Sequence, residues 1–337
     1  MSPERHRIAL FGSGRIGQVH ARNIAAHPGL ELAVIADPFL EGASKLAAET
    51  ETVAVGSPEE AFDMEGLDGV VIGSPTNTHV QLIEASIERG LAVLCEKPID
   101  LDLATVRECR DRISGASVPI MLGFNRRFDP GFASVRQRVE AGDIGALEQL
   151  TIVSRDPEPA PRGYLSASGG IFRDMTIHDL DMARFFVPDI VEVTAHGSNQ
   201  FSEDIRELGD YDTAVVTLRG SRGELITITN SRHCVFGYDQ RLEAFGSGGM
   251  LSVGNVTADS VRAYGASGTE QASLYQHFFL ERYNAAYRAE LDAFATSIRT
   301  GAAPSPGFQD GMAALVLADA ATESAASGKS VDVQGAW

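Results

Sequence analysis

Short apolar runs alternate with amphipathic stretches through the first third of the chain. Residues 7–11, 31–36, 53–55, 69–73, 92–95 and 119–123 read as strands, and 18–26, 43–51, 58–64, 80–89 and 103–113 read as helices. This alternation builds a parallel sheet with right-handed crossovers. Past Gly123 the rhythm changes. Residues 147–154, 190–197, 213–219, 224–230 and 241–245 have period-two or β-branched character and are joined by turns such as 220–223, which predicts an antiparallel sheet. The alternation around Thr227 and Thr229 predicts one face packed on helices and one free face, suited to a subunit interface. Residues 279–298 form a helical pattern with Tyr283, Tyr287, Leu291, Phe294 and Ile298 on one core-facing stripe, and 308–326 form a closing helix. The glycine-rich run 246–249 reads as a turn between strands, since no helix follows it. The expected organisation is an N-terminal Rossmann domain with a doubly wound parallel sheet over 1–123. A C-terminal α+β domain with an open, largely antiparallel sheet is expected over 124–337.

Composition narrows the function. With 337 residues, 44% hydrophobic and 22% charged, the chain has the makeup of a globular protein large enough for two domains. A formal net charge of -18 and a pI near 4.8 argue against a nucleic acid or anionic membrane partner, since both would repel the excess carboxylates. The N-terminal stretch runs directly into a strand without the apolar core of a signal peptide. No segment approaches the ~18 uninterrupted apolar residues of a membrane span, so a cytoplasmic protein is expected. Cys95, Cys109 and Cys234 are scattered and odd in number, which points to neither a disulfide framework nor a zinc site.

The first strand ends in Gly12-Ser13-Gly14-Arg15-Ile16-Gly17 and leads into a helix. Gly12 permits the tight turn, Gly14 lets the backbone approach a pyrophosphate, and Gly17 allows helix and strand to pack closely. The helix N-terminus offers unpaired N–H groups to phosphate. Asp37 ends the second strand, where a carboxylate reaches ribose hydroxyls and repels a 2′-phosphate, so NAD is expected rather than NADP. Arg15 in the turn is the one nearby group that would bind phosphate. The polar loop Ser74, Thr76, Asn77 and His79 follows another strand at the edge where ligands bind, although His79 also suits a purely structural place. Glu96-Lys97-Pro98 follows the next strand on the same rim, where a lysine would hold hydroxyls of cofactor and substrate together.

The candidate chemistry lies in the run 168–186. A Gly169-Gly170 turn leads into a helical pattern in which Asp174 and His178 stand four residues apart, on one helical face. Histidine is poised to exchange a proton near neutral pH, and a carboxylate one turn away would orient its ring or relay that proton. Read alone, the pair is equally well a solvated helix face.

The glycine turn and Glu96-Lys97-Pro98 resemble those of the Gfo/Idh/MocA-type oxidoreductases. The resemblance runs from Ile8 to about Ser327 and is most specific in the segments 123–130, 154–157, 169–179 and 237–241, which look like the family's inositol-oxidising branch. It implies that Lys97, Asp174 and His178 form a catalytic triad. His178 would take the proton from a substrate hydroxyl, Asp174 would assist it, and Lys97 would bridge the nicotinamide ribose and the polyol. It also implies that Arg127, Asp156 and Tyr238 line the substrate pocket; without it, Arg127 reads as an ion-paired arginine and Tyr238 as a packing residue. The expected cofactor contacts are Gly12, Gly14, Arg15, Ile16, Gly17, Asp37, Ser74, Thr76, Asn77, His79, Glu96 and Lys97. The implied activity is NAD-dependent oxidation of myo-inositol at C2 by a homotetramer, with no metal required. The alternatives are a dehydrogenase of another cyclitol or sugar, such as scyllo-inositol, D-chiro-inositol or glucose, and a non-catalytic NAD- or sugar-binding regulator.

Overall fold

The computed structural model describes residues 5–266 and 268–336. Part of the N-terminal stretch read above for a targeting signal, 1–4, lies outside the described residues, as do Ser267 and Trp337. No helix among the described residues is long and apolar enough to cross a membrane. The chain divides into two compact units. One is the chain through Phe128 together with Ala286–Met312; the other is Asp129–Ala285 together with the chain from Ala313 onward. The boundary expected after Gly123 lies close to the end of the first segment, and Ala286–Met312 joins that unit in addition. The helix Asn284–Thr300 brings Leu291 and Phe294, both without exposed surface, into the core of the first unit beside Leu10, Ile35, Val71 and Leu94.

In the first unit, six strands form a parallel sheet: β1 (His6–Phe11), β2 (Leu30–Ala36), β3 (Val53–Val55), β4 (Gly69–Ile72), β5 (Ala92–Cys95) and β6 (Ile120–Leu122). Their spatial order is β3-β2-β1-β4-β5-β6, so the strand order reverses between β1 and β4. Ligands bind outside the carboxyl ends of such strands at that reversal. Strands β1, β4 and β5 are almost entirely buried, which accounts for apolar runs instead of alternation.

The second unit is built on β7 (Leu147–Arg155), β8 (Ile190–Ser198), β9 (Thr213–Gly220), β10 (Leu225–Ser231), β11 (Asp239–Gly246) and β12 (Gly249–Val253). A separate hairpin pairs β13 (Arg262–Gly265) with β14 (Gly268–Ala272), and β15 (Val331–Asp332) adds the last edge of the main sheet. The order is β12-β11-β7-β10-β9-β8-β15. Only β7 and β10 run parallel; every other pairing in this sheet is antiparallel. Along β10, Ile226 and Ile228 are buried while Leu225 is 55% exposed and Thr227 and Thr229 are half-buried. One face is thus covered and the other open. Gly246 and Gly249 face each other across the β11–β12 hairpin, so that run is the inter-strand turn expected of it.

The stripe expected along 279–298 belongs to two helices, Phe279–Arg282 and Asn284–Thr300. Tyr283, between them, donates its hydroxyl to Gln240 within the second unit at 3.1 Å, whereas Leu291 and Phe294 pack in the first. Phe294→Ala should therefore destabilise the first unit by about 3–5 kcal/mol, the usual cost of emptying a phenylalanine site in a core. Urea unfolding followed in that unit checks this; a loss below about 1 kcal/mol would separate the segment from the core.

Candidate active site

The glycine turn of the first unit is fixed by close backbone approach. Gly12 has φ +98°, and a Cβ there would lie 2.7 Å from the Gly73 carbonyl oxygen. A Cβ on Gly17 would lie 2.1 Å from the Gly12 carbonyl oxygen, so helix Arg15–Ala26 packs directly on the turn. A Cβ on Gly14 would meet no other group within 4 Å. Gly14 also caps the helix without a side chain. Its backbone therefore has room beside a helix N-terminus, the setting a pyrophosphate takes. Arg15 and Ile16 begin that helix. Asp37 braces the turn from β2: its carboxylate accepts from the Ser13 N–H at 2.7 Å and the Ser13 hydroxyl at 2.8 Å. Its other oxygen accepts from the Phe39 N–H at 2.8 Å. A carboxylate has about four acceptor positions, which leaves capacity for a ribose hydroxyl. These residues fit NAD.

On the neighbouring rim, Thr76–Thr78 form a single 3₁₀ turn, and the Ser74 and Thr78 hydroxyls are 2.6 Å apart. Asn77 lies in that turn. His79 is buried, with Nδ1 2.8 Å from the Pro98 carbonyl and Nε2 2.9 Å from the Ser74 carbonyl. Burial pushes its imidazole below the ordinary range, against the opposing pull of those carbonyls. A neutral ring has one N–H to give, so the carbonyls compete for it. His79 thus ties the 74–79 loop to the Glu96-Lys97-Pro98 segment, the structural place that its sequence also suited. That segment is not a solvated turn. Pro98 and Ile99 are buried, Lys97 is half-buried, and the Glu96 carboxylate lies 2.7 Å from His20 Nε2.

In the second unit, the sequence predicted a regular helix through Asp174 and His178. The structure has a π-helical turn at Phe172–Thr176 running into the α-helix Ile177–Phe186. The wider turn rotates Asp174 relative to an α-helical setting, and such bulges concentrate at functional sites. Here polar partners hold it. Asp174 accepts from the Tyr164 hydroxyl at 2.8 Å through Oδ1 and from Arg232 Nη1 at 3.0 Å through Oδ2. Arg232, 1% exposed, also donates through Nη2 to Asp210 at 3.2 Å. Asp210 in turn accepts from the Ile171 N–H at 2.8 Å, where the turn begins. Gly170, with φ +85°, keeps that approach open, since a Cβ would lie 3.0 Å from Asp210 Oδ1. Tyr164 itself is half exposed. Burial, then the Asp174 charge, pushes its hydroxyl far above the ordinary phenol range, with a smaller push from Asp156. It therefore stays a donor.

One turn further, Asp179 is fully buried and accepts from the Ser154 hydroxyl at 2.6 Å and Asn230 Nδ2 at 2.7 Å. Asn230 Oδ1 accepts from the Thr176 hydroxyl at 2.7 Å.

The other expected substrate contacts fall into different settings. Asp156 sits just beyond β7, its N–H bonded to the Ser231 carbonyl at 3.0 Å. Arg127 belongs to the first unit, where its guanidinium is buried against Asp310 at 3.0 Å and Ser305 at 3.3 Å. Tyr238 is buried edge-on between Phe278 and Tyr283, with ring centroids 6.2 and 5.9 Å away. These are the ion-paired and packing placements. Sequence reasoning missed Tyr164, Asp210 and Arg232, which hold Asp174. Arg232 follows the end of a strand 58 residues downstream of Asp174, and no local pattern marks it.

Comparison with known proteins agrees with this geometry. Residues 6–124 match the oxidoreductase family described as an NAD-binding Rossmann fold, and residues 132–252 match the GFO/IDH/MocA C-terminal domain. The chain is 42% identical over 330 residues to an inositol 2-dehydrogenase of Rhizobium meliloti, covering 97% of this chain and 99% of that protein. A crystal structure of a myo-inositol dehydrogenase from Corynebacterium glutamicum is 61% identical, covers 98% of this chain and 99% of its own, and superimposes with a TM-score of 0.95. A scyllo-inositol dehydrogenase from Lactobacillus casei, solved with NAD(H) and scyllo-inositol bound, is 27% identical, with coverage of 98% and 99% and a TM-score of 0.89.

Arg232→Met should destabilise the protein by about 3–5 kcal/mol, because it leaves Asp174 and Asp210 without their shared cation in a largely buried setting. Denaturant melts of the two proteins at neutral pH measure this difference; equal midpoints would show that the arginine does not hold the turn.

Proposed function

The chain belongs to the GFO/IDH/MocA family of NAD-binding oxidoreductases, and on that premise we propose that it oxidises myo-inositol at C2 to 2-keto-myo-inositol (scyllo-inosose). Oxidising a secondary alcohol requires a base for the hydroxyl proton, an acceptor for the hydride, and groups that fix the carbon between them. Bound NAD supplies the acceptor. The chain's own residues supply the rest: His178 takes the proton from the C2 hydroxyl, Asp174 supports His178, and Lys97 holds the polyol and the nicotinamide ribose in register. Gly12, Gly14, Gly17 and Asp37 seat the dinucleotide, with Arg15, Ile16, Ser74, Thr76, Asn77 and Glu96 around it. Asp156 reads the substrate hydroxyls, while Arg127 and Tyr238 act from the packed positions described above.

The observation that carries this reading is the fixation of Asp174. Both of its oxygens are engaged, by Tyr164 and Arg232, on the turn that leads into His178. Holding an acid/base group in one geometry before the substrate arrives contributes to rate. A regulator that only bound a sugar would have no need of it.

We further propose that the protein is a cytoplasmic homotetramer assembled on the open face of the second sheet. Leu225, Phe245 and Met250 lie in one cross-strand row with Gln149, and all three are exposed. Apolar rows of this kind favour burial against another surface.

Initial rates of NADH formation test the activity across myo-inositol, scyllo-inositol, D-chiro-inositol and glucose, each with NAD and with NADP. The expected outcome is preference for myo-inositol with NAD; turnover of only another polyol would overturn the substrate. His178→Ala and Lys97→Met should each lower kcat by about 10²–10⁴-fold, and normal turnover in either would remove the role given to that residue. Light scattering of the purified protein should give four times the protomer mass, and Phe245→Glu should reduce it.

A further inference from the structure

Three ionisable side chains meet inside the first unit. His20 is on the helix Arg15–Ala26 that opens from the glycine turn, Glu96 follows β5, and Glu290 is on the helix Asn284–Thr300. One nitrogen or oxygen from each lies within 4.8 Å of the other two. His20 Nε2 is 2.7 Å from Glu96 Oε1, and the imidazole packs edge-on against Tyr287 with centroids 5.9 Å apart. His20 and Glu290 have no exposed surface. Among the described residues, neither oxygen of Glu290 has a hydrogen-bond partner.

A carboxylate in that position would be poorly compensated. No donor offsets its desolvation, and a second carboxyl group already lies close by. Carboxyl groups this near each other do not both ionise readily. Glu96 has the imidazole as its partner, and Glu290, with none, takes the proton. Burial first and Glu96 second push the Glu290 carboxyl well above its ordinary range, in agreement with the geometry. The arrangement also depends on Gly123, where a Cβ would lie 2.9 Å from Glu96 Oε2 and 3.1 Å from Glu96 Cα.

Glu96 directly precedes Lys97. We propose that His20 and Glu290 are positioning residues, which fix the orientation of Glu96 and through it the setting of Lys97 during the reaction. The kinetic half of this proposal rests on the role given to Lys97 above; the protonation of Glu290 does not.

Infrared difference spectra of the full-length wild type and Glu290→Gln at neutral pH test the protonation without any substrate. The expected result is loss of the carbonyl band of a buried carboxylic acid in the variant. Loss of ionised carboxylate bands instead would overturn the proposal. So would a stoichiometric divalent metal present in the wild type and missing from Glu290→Gln, since a cation held by His20, Glu96 and Glu290 requires both carboxylates charged. Kinetics with the preferred polyol test the positioning. Glu290→Leu should lower kcat by about tenfold with a smaller change in KM. Glu290→Gln, neutral, polar and of the same size, should recover most of that loss. Wild-type kcat in Glu290→Leu would overturn the positioning role. If the leucine variant does not fold, Glu290→Asp replaces it, because it withdraws the acid by one methylene. Its kcat should then fall below that of Glu290→Gln, and the opposite order would overturn the role. Failure of the polyol assignment leaves the infrared result standing, so the two readings fail separately.

Discussion

The helix that carries His178, and follows the turn of Asp174, is fastened to its sheet by Asp179, a carboxylate with no exposed surface. Such a group is tolerated only where donors replace the water it has lost. Ser154 on β7 and Asn230 on β10 are those donors. They come from the one parallel pair in the sheet, where Asn230 stands directly beside Ser154. Asn230 also accepts from Thr176 in the π turn, so one amide couples the sheet to the helix and to the irregular turn before it. A slip of the helix by one residue would strand Asp179, Asn230 and Thr176 together. The register of Asp174 and His178 is thus set by groups on the sheet and in the turn.

Charge is handled in the same manner elsewhere in each unit. Arg232 stands between Asp174 and Asp210, Arg282 pairs with Asp129, Arg127 with Asp310 and His20 with Glu96. In each pair at least one partner is almost fully buried. Pairs of this kind add little net stability over apolar packing, but leaving one partner alone is costly. They act as constraints on geometry more than as sources of stability. The net charge of -18 therefore says little about these carboxylates, each of which has a cationic or imidazole partner.

What the sequence made legible was local. The glycine turn, the strand ending at Asp37 and the alternation of helix and strand are each set by neighbours within a few residues, and the structure shows them close to the positions read from pattern. The α+β character of the rest was legible for the same reason, since period-two segments announce half-buried strands. What stayed hidden depends on contacts between distant parts of the chain. Arg232 and Asp210 look like ordinary polar residues of a strand end and a loop until the fold sets them against Asp174. The π turn left no mark on the apolar periodicity. Glu290 sits between Tyr287 and Leu291 in an otherwise core-facing stripe, and nothing in the spacing shows that it is drawn inward to Glu96. The partners of Arg127 and Tyr238 were hidden in the same way, since Asp310 lies far along the chain from the one and the rings of Phe278 and Tyr283 far from the other.

The return of Ala286–Met312 to the first unit also bears on how the protein is made. On a ribosome the strands of the parallel sheet emerge first, but Leu291 and Phe294 emerge only after the whole of β7 to β14. Until then the core that they share with Leu10, Ile35 and Leu94 lacks two of its members. The nascent sheet can form its backbone ladder early, yet its core closes near the end of synthesis. A chain released short of that helix would carry every residue of the dinucleotide turn and still present an unfinished interior.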